Sequence, residues 1–200
     1  MRPIKATHEW PTNSHLIQDV ATLGYLRKDW LTLDVTYGLG GWWKCWRPDR
    51  LVGMDRDPQK AHSVQGDFTD LPFPDRAFDA VVFDPPYMLN GAPTQGYTRY
   101  GITEKVRWQD KIEFIKLGIW ECSRVLGDGY LLVKCQAQVV SGHVRWQDFI
   151  FTQYAREYCD MGLVDRFDML SYRAQPDGTS QVHARRNTST LLVFKRGHKS

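Results

Sequence analysis

Apolar positions fall into short runs rich in β-branched and aromatic residues: LTLDVT (31–36), LVGMD (51–55), FDAVVF (78–83), GYLLVK (129–134), RFDMLSY (166–172) and TLLVFK (190–195). Runs of this length and composition predict strands. Between several of them the apolar spacing changes to three and four. Trp108, Ile112, Ile115, Ile119 and Cys122 predict one face of a helix over 108–126. Trp146, Phe149, Ile150, Tyr154 and Tyr158 predict another over 146–162, and His15, Leu16, Val20 and Leu23 a first helix over 15–28. Strands alternating with helices predict an α/β domain of βαβ units with a mostly parallel sheet. No long helix separates the last two runs, so an antiparallel C-terminal strand is expected there.

The pattern contains no domain linker, and residues 1–200 read as a single domain. Residues 88–106 and 173–189 read as long loops, expected to recognise substrate. RWQD occurs at 107–110 and again at 145–148, each time opening a predicted helix. Asp in a first helical turn suits the helix dipole. Helices that follow parallel strands start at the sheet's carboxyl edge, where ligands bind, so Arg107 and Arg145 are expected to face a substrate.

Composition is ordinary for a globular chain, with 42% hydrophobic and 24% charged residues. No apolar run approaches a membrane span, and the N-terminus has no signal-peptide pattern, so a cytoplasmic location without membrane partners is expected. Cys45, Cys122, Cys135 and Cys159 form no CxxC pair. Buried free thiols and no metal site are the expectation. The net charge of +3 says little, but 182–200 carries Arg185, Arg186, Lys195, Arg196 and Lys199 without a carboxylate, a pattern suited to phosphates.

Candidate chemistry gathers at the ends of the predicted strands. In LDVTYGLGG, Asp34 ends a strand, and Gly38 and Gly40 permit a tight turn against a ligand. A third glycine is absent, Trp43 taking its place, which disfavours a dinucleotide oxidoreductase, and no GK[ST] follows. Asp55, ending the next strand, can accept from both hydroxyls of a ribose. Asp67 can accept from an adenine amino group, and Phe68 can cover the ring face. The run FDAVVF ends in Asp84-Pro85-Pro86-Tyr87, where proline stops the ladder at the same edge.

These residues resemble the motifs of class I S-adenosylmethionine-dependent DNA amino-methyltransferases. Asp34-Val35-Thr36-Tyr37-Gly38-Leu39-Gly40 is similar to the family's D-x-F-x-G-x-G motif. Asp55 matches its ribose ligand, Asp67 its adenine-contacting carboxylate, and Asp84-Pro85-Pro86-Tyr87 its [D/N/S]-P-P-[Y/F/W] motif. WPTNSHLI (10–17) loosely resembles a P-T-x-x-P segment that touches the methionine part of the cofactor, placing Pro11 and Thr12 there, although His15 replaces the second proline. GYLLVKCQAQVVSGHVRWQ and QVHARRNTSTLLVF look like small phage and actinobacterial DNA methylases. The resemblance implies the Rossmann-like class I methyltransferase fold, a mostly parallel central sheet with helices on both faces, together with S-adenosylmethionine as cofactor and DNA as partner.

The implied reaction is methyl transfer to an exocyclic amino group. That nitrogen is a poor nucleophile because its lone pair is delocalised into the ring. Acceptors aimed at its N–H bonds, the Asp84 carboxylate and the Pro85 carbonyl, would free the lone pair, and Tyr87 would stack on the base. In duplex DNA the base must first be flipped out. Tyr97, Arg99 and Tyr100 in the first loop, the basic 182–187 segment with Arg185 and Arg186, and Lys134 after its strand are the expected nucleic-acid contacts. No Pro-Cys pair occurs, so carbon-5 cytosine methylation is disfavoured. Adenine N6 is favoured by the Asp. Cytosine N4, RNA, and a non-enzymatic nucleic-acid-binding protein are the alternatives.

Overall fold

The computed structural model describes residues 3–89, 107–170, 183–184 and 186–198. An eight-stranded sheet runs through it: β1 (Thr7–His8), β2 (Leu31–Asp34), β3 (Arg50–Asp55), β4 (Val64–Gln65), β5 (Phe78–Phe83), β6 (Leu126–Cys135), β9 (Met161–Leu170) and β10 (Thr188–Arg196). β7 (Gln138–Val140) and β8 (His143–Arg145) form a separate antiparallel hairpin. The helices are α1 (Asn13–Thr22), α2 (Trp108–Val125) and α3 (Gln147–Cys159). The sheet order is β1-β9-β10-β6-β5-β2-β3-β4. Neighbouring strands from β4 to β6 are parallel, whereas β10 is antiparallel to both β6 and β9. The order reverses between β2 and β5, a topological switch point of the kind beside which open α/β sheets bind ligands, at the carboxyl edge.

Both faces of the sheet are covered, which is why β5 is apolar at every position except Asp79. Side chains alternate across it. Val81 and Phe83 face the α2–α3 layer with Ile112, Ile115, Ile119 and Phe151. Ala80 and Val82 face α1, whose Leu16, Ile17 and Val20 pack there with Trp42 and Trp43. Gly118 of α2 marks a close approach, because a Cβ there would stand 2.6 Å from Phe83 and 2.7 Å from Phe68.

Several expected elements shift. The first helix stops at Thr22, because Gly24 follows at φ +88°. β6 begins at Leu126 and β9 at Met161, both earlier than their apolar runs suggest. β9 and β10 do pair antiparallel, but β10 lies inside the sheet and the short β1 forms the edge beyond β9. The buried face of α3 is Gln147, Phe151, Ala155 and Cys159, while Trp146, Phe149 and Tyr158 are exposed. Cys122, Cys135 and Cys159 are buried thiols, but Cys45 is exposed.

Candidate active site

Three carboxylates reach the carboxyl edge from adjacent strands: Asp34 from β2, Asp55 from β3 and Asp84 just past β5. Between β2 and β3 the chain forms no long helix, only a single 3-10 turn at Gly41–Trp43. Gly38 (φ +57°) and Gly40 (φ +67°) occupy left-handed backbone. A Cβ on Gly40 would stand 2.7 Å from the Tyr37 hydroxyl, so ring and glycine are packed together. Gly38 N–H donates to Asp55 Oδ2 at 2.9 Å, and Asp57 N–H donates to Asp55 Oδ1 at 2.9 Å. The turn is thus tied to the carboxylate expected to take the ribose.

Asp34 is buried and occupied from within. Thr36 N–H donates to its Oδ1 at 3.0 Å and Trp43 Nε1 to its Oδ2 at 2.7 Å. Trp43, the residue in place of the third glycine, is therefore a strut for this loop. Burial pushes the Asp34 carboxyl up to about 7; the two donors oppose this, while Asp84 and Asp55 add to it.

Asp84 lies in a more telling environment. Its backbone N–H donates to Thr36 Oγ1 at 2.9 Å, and Trp42 Nε1 donates to its Oδ2 at 3.1 Å. Its Oδ1 is buried and has no hydrogen-bond partner. Burial raises the carboxyl above its ordinary range, whereas the Lys134 ammonium and the Trp42 indole hold it down. Lys134 Nζ sits 5.5 Å from the Trp42 ring centroid and donates to Asn13 Oδ1 at the start of α1.

The next residues are pinned by buried polar groups. Tyr87 N–H donates to Pro85 O at 2.8 Å, a three-residue turn around Pro86 that leaves the carbonyl its second lone pair. Gln147 Nε2 donates to Tyr87 O at 2.7 Å. Lys111 Nζ reaches Met88 O and Leu89 O, and Leu89 N–H donates to Gln138 Oε1. Arg124 and Glu121 of α2 hold the loop after β4, through Leu71 O, Phe73 O and Leu71 N–H.

Two expected roles are corrected. Phe68 is only 1% exposed and packs against Phe83 and Phe114, so its ring is closed to a ligand. Lys134 lies within β6 at 2% exposure, with its ammonium donating to Asn13 Oδ1 and standing over Trp42. Asp67 keeps a half-exposed carboxylate, but Oδ1 accepts from Thr69 N–H and Oγ1, and Oδ2 lies 3.8 Å from Arg56. Pro11 and Thr12 are exposed before α1, where Thr12 Oγ1 bonds Ser14 and His15. Arg107 is tied to Asp110 of its own helix, whereas Arg145 lies over Trp108 and Arg186 over Trp146. Tyr97, Arg99, Tyr100 and Arg185 lie outside the described residues, as do most of both long loops.

Trp42, Asn13, Lys111, Gln138 and Gln147 are site-building residues that sequence reasoning missed. The one available signal was the repeated RWQD, whose second copy contains Gln147. No group of His, Cys, Asp and Glu among the described residues is placed to hold a metal ion. No helix among them is long and apolar enough to cross a membrane.

The sequence matches no protein-family model and no curated protein. Solved structures do match. A chain of the complex between the Haloferax volcanii Trm112 methyltransferase activator and a methyltransferase candidate aligns at TM-score 0.56 and 14% identity, over 92% of this chain and 94% of that one. A methyltransferase candidate from Bacillus halodurans C-125 aligns at 0.55 and 15%, over 95% and 100%. The [4+2]-cyclase SpnF aligns at 0.55 and 15%, over 92% and 81%. The chain has the class I methyltransferase fold. A cyclase on the same fold illustrates that the reaction must be argued from the site.

Proposed function

We propose that the chain is an S-adenosylmethionine-dependent methyltransferase acting on the exocyclic amino group of a nucleobase in DNA, adenine N6 in first place. The observation that carries this reading is the buried, unpartnered Oδ1 of Asp84 beside the Pro85 carbonyl. An unsatisfied buried acceptor is costly unless a ligand completes it, and an amino N–H would do so.

The residues present suit the cofactor. Asp55, and Asp84 when ionised, place carboxylates at one edge, where a sulfonium cation is favoured. Gly38 and Gly40 bring backbone close to the same edge, and Asp55 offers acceptors for a ribose. When bound, the cofactor supplies an electrophilic methyl group. The chain's own part is to align and polarise the amine. Asp84 Oδ1 and Pro85 O would accept its two N–H bonds, which localises the nitrogen lone pair. Tyr87, whose backbone is tied to Gln147 and Pro85, would be the stacking surface for the base. Alignment and fixed dipoles supply large rate factors without a covalent enzyme intermediate.

The test is incubation with methyl-labelled S-adenosylmethionine and DNA, RNA or free nucleosides, followed by digestion and mass spectrometry. N6-methyladenine in DNA supports the proposal in full. N4-methylcytosine, or N6-methyladenine in RNA, retains the amine chemistry and changes the substrate. Label on carbon, or on no nucleic acid, overturns it.

A further inference from the structure

Four arginines stand around the helix starts next to Asp84–Leu89, and they divide into two kinds. Arg107 pairs with Asp110 at 2.9 Å and Arg166 with Asp148 at 2.8 Å, so the carboxylates of both RWQD segments are taken. Arg145 and Arg186 have no carboxylate among the described residues. The Arg145 guanidinium lies 4.0 Å from the ring centroid of Trp108, and that of Arg186 lies 4.4 Å from Trp146. The Nε of each is buried without a hydrogen-bond partner.

Both stacks adjoin the segment that carries the site. Trp146 precedes Gln147, which holds Tyr87 O. Trp108 is one helical turn before Lys111, which holds Met88 O and Leu89 O. A guanidinium over an indole keeps its donors in one plane, and that fork matches phosphate oxygens. The ring also limits the rotamer freedom lost on binding.

We propose that Arg145 and Arg186, each held over a tryptophan beside the Asp84–Leu89 segment, are a pair of phosphate clamps that grip the nucleic-acid backbone next to the target base. This rests on the nucleic-acid substrate proposed above. It extends that reading by assigning backbone contact to two arginines from separate segments, the end of β8 and the residues before β10, while Lys134 has none. Phosphate contact fixes register and orientation and carries no sequence information.

The experiment is the salt dependence of binding to a fluorescein-labelled oligonucleotide, as single-stranded DNA, duplex DNA and RNA, read by fluorescence anisotropy. Each phosphate contact contributes about −0.7 to the log–log slope on single strands and about −0.9 on duplex. Arg145→Ala with Arg186→Ala should therefore flatten the slope by about 1.4 on single strands or about 1.8 on duplex. The polymer on which the slope changes identifies the source of the phosphate. Arg145→Lys with Arg186→Lys should retain most of the slope, since the charges remain. Arg27→Ala is the control, because Arg27 stands 5.6 Å from the Trp30 ring centroid at the amino edge of the sheet and is already paired with Asp29. Thermal melting by circular dichroism identifies a variant that has lost its fold, and in that case the lysine pair, followed by each single alanine variant, decides. An unchanged slope in a folded alanine variant overturns the clamps. Should the wild type transfer methyl groups only to free nucleosides or small amines, the proposed substrate fails and the clamps with it. Methylation of nucleic acid with unchanged slopes removes the clamps alone.

Discussion

Trp42 Nε1 donates to Asp84 Oδ2 at 3.1 Å, and Asp84 Oδ1 is buried without a partner. The indole thereby fixes the carboxylate plane and occupies one oxygen, so that the other points to a single use. Asp84→Ala should abolish transfer and leave cofactor affinity within about threefold, because Asp55 and the glycine turn are untouched. Trp42→Phe should keep cofactor affinity and lower kcat about tenfold, the worth of one lost hydrogen bond to a charged group. Single-turnover kinetics with calorimetric cofactor titration would check both. Near wild-type turnover in Asp84→Ala would end the mechanism.

The acid limb of turnover should report Asp84. Its carboxyl must be ionised to accept from an amine. Burial raises it and Lys134 lowers it, while Asp34 of β2 is the like charge beside it and Trp42 a neutral donor. In Lys134→Met the folded carboxyl rises further, so the acid limb of kcat moves to higher pH while the alkaline side is unchanged. Asn13→Ala frees the ammonium from its anchor and should move the limb in the same direction by less. A pH profile of both variants that overlays the wild type would remove Lys134 from the site.

Asp34 makes stability fall with pH over a defined window. Its carboxyl is raised from 3.8 to about 7 in the folded chain. Between those values the folded form binds the proton more readily than the unfolded one. Its contribution is thus fully present below about pH 4 and is lost as pH rises through about 7, with an upper bound of about 4 kcal/mol. Asp34→Asn removes this dependence, so the stability difference between wild type and variant should drift across pH 4 to 7 in the direction that penalises the wild type. Urea melts at several pH values measure it, and a parallel pair of curves would contradict the assignment.

Gly118→Ala should destabilise the protein although alanine is the better helix former. The helix gains about 1 kcal/mol from the exchange, but the new Cβ meets the buried rings of Phe83 and Phe68, and overpacking of this kind costs about 1–3 kcal/mol. Denaturant midpoints should fall, and a raised midpoint would mean that the two rings can move.

Gly40→Ala is expected to damage cofactor binding and stability together. Gly40 stands at φ +67°, and a Cβ would displace the Tyr37 ring from the turn that bonds Asp55. Cofactor affinity should fall about tenfold or more by calorimetry, and the strained left-handed alanine should lower the thermal midpoint by about 4–8 °C as well.

Much of the architecture was legible in the sequence because it follows from local pattern. β5 spans the residues its apolar run predicts, α2 ends within one residue of its periodic stretch, and the two final strands pair antiparallel. The acidic residues at strand ends, Asp34, Asp55 and Asp84, were visible for the same reason, since a strand end is local. What escaped was tertiary in origin. Trp146, Phe149 and Tyr158 follow helical spacing yet face solvent, because α3 turns Gln147, Phe151, Ala155 and Cys159 to the interior, where Gln147 bonds Tyr87 O and the other three join the core.

The chain by itself determined a mostly parallel α/β sheet, a glycine turn followed by an acidic strand end, and a proline pair that stops β5 at the ligand edge. Each depends on backbone rules that act within a few residues. Only the tertiary structure decided what each side chain does. It withdrew Phe68 into the core and buried Lys134 between Asn13 and Trp42, where its charge acts on Asp84. It made Trp42 and Trp43 donors to two different carboxylates, and left Arg145 and Arg186 over tryptophans with no carboxylate partner among the described residues. Burial and hydrogen-bond partners come from segments far apart in the chain, so no local pattern carries them.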